Sequence, residues 1–584
     1  MLKGYTSEKN IQILIALMKK HGVRKVVASP GTTNACFVAS IQQDNFFQIY
    51  SSVDERSAAY LACGLSEESG EPVALSCTGA TASRNYLSGL TEAYYRKIPI
   101  LAITSTPYTG RIGNNIPQVI DRSAHLNDTQ LLSVELPFID NGSDEWYCCL
   151  KTNEALLELR HRGGGPVHIN LETKLSPDYS CMELPDVRMI SRIYPADIFP
   201  QVPDKKIAIF VGSHKVWTDT LTKAVDKFCE TYNAVVLYDH TSNYTGKYGV
   251  LANLVTNQEG YKSSCLSMEL LIHIGDVSGA YMNLLPEKVW RVSPDGAIRD
   301  TFYKLENIFE MTEEYFFSKY ISMSDYPTET ITYYKEWKKE RELLFQKIPE
   351  LPLSNIWIAQ QMCGNLPHNS VIHFAILNSL RSWNYFEISN TIRGYANTGG
   401  FGIDGCVSSL IGASLIDSGK IYFGIVGDLA LFYDLNSVGN RHIGKNLRLL
   451  VINNGRGIEF ENYNHYAARF GEDADAYIAA AGHFGNKSDK LLKHYAEDLG
   501  FMYLSASTKD EVINQLDSFI SGQQYDQPIL FEIFTEAEEE SRALKLINSL
   551  NMKEEAQSRT VKTIIKNILG DTGVQAIKKI IKNE

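Results

Sequence analysis

The chain is 584 residues long, 44% hydrophobic and 21% charged, a globular composition that suggests three or four domains of ordinary size. Its formal net charge of −12 argues against nucleic-acid binding, and no apolar run reaches the ~18 residues that a membrane-spanning helix needs. The opening MLKGYTSEKN has no signal-peptide pattern, and ten cysteines without metal-ligand spacing, adjacent Cys148 and Cys149 among them, read as reduced thiols of a cytoplasmic protein.

Residues 1–180 read as α/β. Thr6 or Ser7 is expected to cap a helix whose apolar residues are Ile11, Leu14, Ile15 and Met18, ended by His21-Gly22. A buried strand follows at Lys25–Ala28, then a tight turn at Ser29-Pro30-Gly31. Phe46–Ser51 is the next predicted strand, and Glu55 stands where it passes into a helix over Ser57–Leu65 rich in Ala and Gly. Short strands at Val73–Ser76 and Ile98–Thr104 complete this part. The middle region, 185–345, shows strands at Ile207–Val211, Ala234–Tyr238 and Leu270–Gly275. It lacks GxGxxG, so a structural domain without a second cofactor is expected. A linker helix is predicted between Thr328 and Lys347.

Residues 350–545 carry the densest pattern. Val371–Ala375 is a predicted strand ended by Asn378-Ser379-Leu380, and Asn397–Gly405 is a glycine-rich strand-to-helix loop. The apolar run Ile421–Val426 breaks at Gly427-Asp428-Leu429. Leu431, Phe432, Leu435 and Val438 then recur at helical spacing, and a second strand, Leu447–Ile452, ends in Asn453-Asn454-Gly455. Pro528–Phe534 is the last predicted strand. The tail, 546–584, is basic and amphipathic; Ile564, Ile565, Ile568 and Leu569 precede Gly570, and Val574, Ile577, Ile580 and Ile581 follow Gly573. Such a helix pair suits an anionic membrane surface or a partner, or folds against its own domain.

Asp428 and Asn454 are 26 residues apart, enough for one strand–helix–strand crossover. The ends of neighbouring parallel strands lie side by side, and ligands collect there. One carboxylate, one amide oxygen and backbone carbonyls are hard ligands that suit magnesium or calcium rather than zinc or copper. So few protein ligands need oxygens from another source, and a diphosphate is the natural one.

Gly-Asp-x followed by Asn-Asn resembles the binding motif of thiamine-diphosphate enzymes. The resemblance implies Asp428, the side chain of Asn454 and the carbonyl of Arg456 as Mg2+ ligands, with Gly427, Leu429, Gly457 and Phe460 around the cofactor. Leu429 stands where the usual motif has Gly. Glu55 would meet the aminopyrimidine ring, beside Thr78 and Gly79, and share a proton with it. Ile403, within GFGIDG, would be the bulky residue under the cofactor. HGVRKVVASPG, DERSAAYLACGLSEESGEPVALSCTGATASRNY, NSL and GFGIDG are similar to the 2-succinyl-5-enolpyruvyl-6-hydroxy-3-cyclohexene-1-carboxylate synthase family of the menaquinone pathway, over roughly 5–130 and 370–465. That family implies three parallel-sheet α/β domains: pyrimidine-binding (1–180), middle (185–345) and diphosphate-binding (350–545). It also implies a homodimer or homotetramer with sites shared between subunits.

The substrate positions depart from the family. Thr32, Thr33 and Asn34 follow the SPG turn where the family has Ser-Arg-Ser. Thr398 and Trp383 also stand at expected arginine positions, while Ser379, Arg381 and Gln118 complete the substrate set. Losing such charge-assisted pairs costs ~1.5–3 kcal/mol each. Arg381, Arg84 and Arg111 are available to compensate. The expectation is a thiamine-diphosphate and magnesium dependent 2-oxo acid decarboxylase and carboligase that does not use 2-oxoglutarate with isochorismate. Alternatives are the family's own synthase and an inactive cofactor-binding subunit.

Overall fold

The structure, a computed structural model, describes residues 4–324, 331–480 and 488–551. The predicted tail lies outside them from residue 552 onwards. The chain divides into two compact units: Met1–Asp197 with Gly296–Glu310, and Ile198–Asp295 with Met311–Glu584.

In the N-terminal unit, strands β1 (Lys25–Ala28), β2 (Gln48–Ser51), β3 (Val73–Thr78), β4 (Ile100–Thr106), β5 (Leu132–Leu136) and β6 (Val167–Glu172) form one sheet in the order β2-β1-β3-β4-β6-β5. All its pairs are parallel. β3, β4 and β6 are near-continuous buried runs, as a sheet covered on both faces requires. The first helix, Lys9–Lys20, buries Ile11, Leu14, Ile15 and Met18 as its spacing predicts. Its cap differs from expectation: Glu8 occupies the N-cap position and makes no side-chain cap bond. The Glu8 carboxylate instead accepts from Thr173 Oγ1 at 3.1 Å and from the amides of Lys174 and Ser176, both at 2.9 Å. Tertiary partners outcompete the local cap. Two short strands, β7 (Ser191–Ile193) and, later in the chain, β13 (Leu305–Phe309), also pair in parallel in this unit.

In the C-terminal unit, β8 (Ile207–Val211), β9 (Ala234–Tyr238), β10 (Gly249–Leu251), β11 (Ser267–Ile274) and β12 (Leu285–Val292) lie in the order β10-β9-β8-β11-β12. A further parallel sheet joins β14 (Val371–Phe374), β15 (Arg393–Ala396), β16 (Tyr422–Gly427), β17 (Leu447–Asn453), β18 (Met502–Ala506) and β19 (Ile529–Phe534), in the order β15-β14-β16-β17-β19-β18. The helix-like pattern after Gly427 resolves into two short helices, Asp428–Tyr433 and Leu435–Val438. Asn378-Ser379-Leu380 opens a helix, Asn378–Trp383. The linker helix runs Thr332–Phe345. This is the α/β architecture of parallel sheets expected from sequence. The ten cysteines are free, and eight of them are buried. No helix among the described residues is long and apolar enough to cross a membrane.

Candidate active site

Each unit gathers predicted site residues at the C-terminal ends of its strands. In the C-terminal unit β16 and β17 run in register, Gly427 opposite Ile452. The chain leaves them at Asp428 and Asn454, which therefore meet at one sheet edge. Asp428 is buried, and its Oδ2 accepts from the Gly455 amide at 2.9 Å; Asn454 Oδ1 accepts from the Arg456 amide at 3.3 Å. Both line one cleft together with Gly427, Leu429, Arg456 and Gly457. A Cβ on Gly427 would meet nothing within 4 Å, so this backbone faces open space where a ligand can approach. Gly457 is fixed differently. A Cβ there would stand 2.9 Å from Ala480 Cβ and 3.1 Å from Leu429 Cδ2, and its amide donates to the Ala480 carbonyl at 2.7 Å.

A supporting layer holds the turn. Asn453 Nδ2 donates to Glu532 Oε1 at 2.6 Å, and the Tyr503 hydroxyl donates to Glu532 Oε2 at 2.7 Å. Burial raises the Glu532 carboxyl above its usual range against these bonds. The Arg456 side chain ion-pairs with Glu461 and Asp475, so this residue has only its carbonyl for a metal. The donors at the cleft are a carboxylate, an amide oxygen and a backbone carbonyl, a set that fits magnesium. Among the described residues no three His, Cys, Asp or Glu side chains cluster as a metal site of their own. A cation here would need oxygens from an anion bound with it, which is what a diphosphate offers.

Ile403, Phe460, Ser379 and Glu459 line the same cleft. Leu377, also in the wall, holds φ 63° and ψ −119°, a left-handed conformation that costs a leucine about 1–3 kcal/mol and places the following helix. Arg381 Nη2 donates to Glu459 Oε1 at 2.7 Å. Burial works against the Arg381 charge, but the bond and charge of Glu459 outweigh it and raise its pKa. Trp383 is fully buried: its Nε1 donates to Asn355 Oδ1 at 3.2 Å and its ring lies 5.7 Å from Phe374. It is absent from the cleft wall. Thr398 is also buried, its methyl 3.1 Å from where a Cβ on Gly279 would stand. Asn355 and Leu377 line the cleft without having been singled out in the sequence, and Asn378, read there as a strand end within the NSL motif, lines it too. Asn355 follows the Ser354 helix cap, a signal for a helix start but not for a site.

In the N-terminal unit Glu55 is the first residue of the helix Glu55–Ser69, whose cap Asp54 accepts from the amides of Arg56 and Ser57. Glu55 is half-buried, and Asn85 Nδ2 lies 3.4 Å from its Oε2. Thr33 hydrogen-bonds Thr78 and donates to the Ser105 carbonyl at 2.7 Å. Asn34 Nδ2 donates to the Ser29 carbonyl at 3.0 Å and to Ser76 Oγ at 3.2 Å. Gly31 must be Gly, since a Cβ would sit 2.8 Å from Asn34 Oδ1 and 2.9 Å from Thr78 Cβ. Thr33, Asn34, Thr78 and Gly79 thus share one sheet edge. Thr32, Arg84, Arg111 and Gln118 are exposed, Arg84 donating to the Asp121 carbonyl at 2.8 Å and Gln118 at φ 66°.

Residues 9–125 match the family described as thiamine pyrophosphate enzyme, N-terminal TPP binding domain. Over 561 residues the chain is 30% identical to the 2-succinyl-5-enolpyruvyl-6-hydroxy-3-cyclohexene-1-carboxylate synthase of Bacteroides fragilis, covering 93% of this chain and 98% of that one. The chain belongs to this synthase family. The synthase of Bacteroides thetaiotaomicron is likewise 30% identical over 559 residues, with the same coverage, and that of Porphyromonas gingivalis 27% identical over 579 residues. These full-length synthase relatives overturn the expectation, drawn from Thr33, Trp383 and Thr398, of a carboligase that had left the family's substrate pair. Its weakness was physical: a residue placed by motif counting need not face the pocket, and Trp383 does not.

Proposed function

We propose that this protein is a synthase of its family's type: it decarboxylates 2-oxoglutarate and joins the remaining four-carbon unit to isochorismate, giving 2-succinyl-5-enolpyruvyl-6-hydroxy-3-cyclohexene-1-carboxylate. The observation that carries the reading is end-to-end similarity to enzymes of that name, 93% of this chain against 98% of the relative. The domains would be pyrimidine-binding at 1–180, middle at 185–345 and diphosphate-binding at 350–545, in a cytoplasmic enzyme.

When bound, thiamine diphosphate would supply a nucleophilic carbon and an electron sink for loss of carbon dioxide. Asp428, Asn454 and the Arg456 carbonyl would hold Mg2+ against its diphosphate, with Gly427, Leu429 and Gly457 giving the backbone close approach. Glu55 would hold a proton shared with a pyrimidine nitrogen, and Thr78 and Gly79 would border that ring. Ile403 and Phe460 would shape the cofactor's bed and keep water from the reacting carbon. Ser379, Arg381, Gln118, Thr32, Thr33, Asn34 and Thr398 are the substrate-side candidates.

The active unit would be a homo-oligomer in which the N-terminal half-site of one copy works with the C-terminal half-site of another. The helix bearing Glu55 supports this, for its Tyr60 and Leu61 are 48% and 43% exposed, and Val53 just before it is 81% exposed. Exposed apolar side chains on the helix that carries Glu55 offer an interaction surface.

The test is a reaction of purified protein with thiamine diphosphate, magnesium, 2-oxoglutarate and isochorismate, followed by mass spectrometry of the product and by carbon dioxide release. One carbon dioxide per isochorismate consumed is expected. Release from pyruvate with isochorismate left intact would refute the assignment.

A further inference from the structure

The N-terminal unit buries a cation that its own fold leaves half-satisfied. Arg122 is 6% exposed. Its Nη2 donates to Asn170 Oδ1, but Nε and Nη1 find no partner among the described residues. Nη1 lies over the β3 turn, since a Cβ built on Gly79 would stand 2.6 Å from it and 3.1 Å from the Ser105 carbonyl. In the same unit Ser105 Oγ, near the end of β4, is also buried without a partner among the described residues. The guanidinium further walls a small cavity with Arg84, Thr104, His125, Gln130 and His168, whose lining contains no Asp or Glu. Burial pulls the Arg122 pKa down to about 10, so the group remains charged at neutral pH. Burial, together with the charge of Arg122, holds His168 near 3, neutral between Thr104 and Ser133.

A buried guanidinium with open N–H groups is costly unless a negative charge completes it. Arginine is also the side chain best suited to fix a planar anion. The Ser105 hydroxyl can act as donor or acceptor toward such a ligand. Arg122 Nε and Nη1 thus have no partner among the described residues.

We propose that Arg122 binds a carboxylate of the substrate, with Nη1 donating to it beside Gly79 and the Ser105 carbonyl. The choice of carboxylate over phosphate rests on the synthase reading above, whose substrates are carboxylic acids. The recognition chemistry itself, a small anion on a buried guanidinium, does not depend on turnover.

The experiment is calorimetric titration of the full-length protein, loaded with thiamine diphosphate and magnesium, with succinate in one arm and inorganic phosphate in the other. Arg122→Gln should weaken succinate about tenfold or more, the scale of one lost charge-assisted bond. Asn170→Asp, which places an internal carboxylate on the guanidinium, should weaken succinate similarly while raising the melting temperature of the ligand-free protein. Equal succinate affinity in all three proteins would overturn the assignment, as would phosphate binding that exceeds succinate and is lost with Arg122. A melting temperature that falls in Arg122→Gln while succinate affinity stays put would mark a merely structural arginine. Because binding is scored without turnover, failure to consume isochorismate refutes the synthase reading and leaves Arg122 to be judged by the titration alone.

Discussion

Glu540 is a wholly buried carboxyl one layer behind the cleft. Its Oε1 accepts from the Asn355 amide and from Thr535 Oγ1, both at 2.9 Å, while Oε2 finds no partner among the described residues. Burial raises its pKa from 4.5 to about 7, with the bonds from Asn355, Thr535 and Asn378 opposing. The folded state therefore holds a proton that the unfolded chain has lost between those two values. The stability due to the neutral carboxyl is fully present below the unfolded pKa and is lost as pH rises to the folded one. Glu540→Gln, neutral at every pH, should match the parent in urea unfolding at acid pH and exceed it by about 3 kcal/mol at pH 8. A constant difference across that range would show that Glu540 does not titrate there. The substrate-side residues carry a related lesson. Thr33, Trp383 and Thr398 are all buried, Trp383 as a core strut, so swapping arginine for them in a motif says little about the charge a pocket presents. Arg122 has no motif around it, and only burial and missing partners mark it.

Helix packing places Glu55. Gly89, in the helix Leu87–Arg96, approaches the helix Glu55–Ser69 so closely that a Cβ on it would lie 2.4 Å from Ala59 Cβ and 3.0 Å from the Ala59 carbonyl carbon. Gly89→Ala should cost about 1–3 kcal/mol in denaturant unfolding, as overpacked cores do, and displace the helix end that carries Glu55. An unchanged midpoint would mean that the two helices separate without penalty. Elements of this kind were partly legible in sequence. β1, β8 and β9 match their predicted bounds because short apolar runs between turn residues have few alternatives. The cap at Glu8 was missed because its rivals are Thr173, Lys174 and Ser176, far along the chain. The start of the helix at Asn378 was missed because Leu377 adopts a positive φ that no sequence rule assigns to leucine. That Gly427, Asp428, Asn454 and Gly457 meet in one cleft was legible, because a strand–helix–strand spacing sets neighbouring strand ends side by side. The positions of Asn355 and Arg122 were not legible, since their surroundings form only once distant segments meet.

For the whole molecule, the proposed sharing of sites between copies has a direct consequence. Neither Glu55→Gln nor Asp428→Ala subunits should support turnover alone, because each spoils every site it enters. Mixed, they form hybrids in which one site in each pair carries neither substitution. Recovery of about a quarter of the parent activity is expected from random pairing of dimers, the symmetric assembly most common among soluble oligomers. Absence of recovery in a mixture shown by native mass spectrometry to contain hybrids would place both residues' action within single copies.

The buried cysteines give the molecule a built-in reporter of its own breathing. Burial lifts the thiols of Cys77, Cys148 and Cys406 to about 12 and that of Cys63 to about 11, so almost none exists as the reactive thiolate in the closed protein. These four lie in both units, and each becomes an ordinary nucleophile only while its surroundings are open. The rate at which an alkylating reagent marks a given cysteine therefore counts the openings of that neighbourhood. Cys181, half-buried in a connection bridged to Tyr5, would take the label without such an opening.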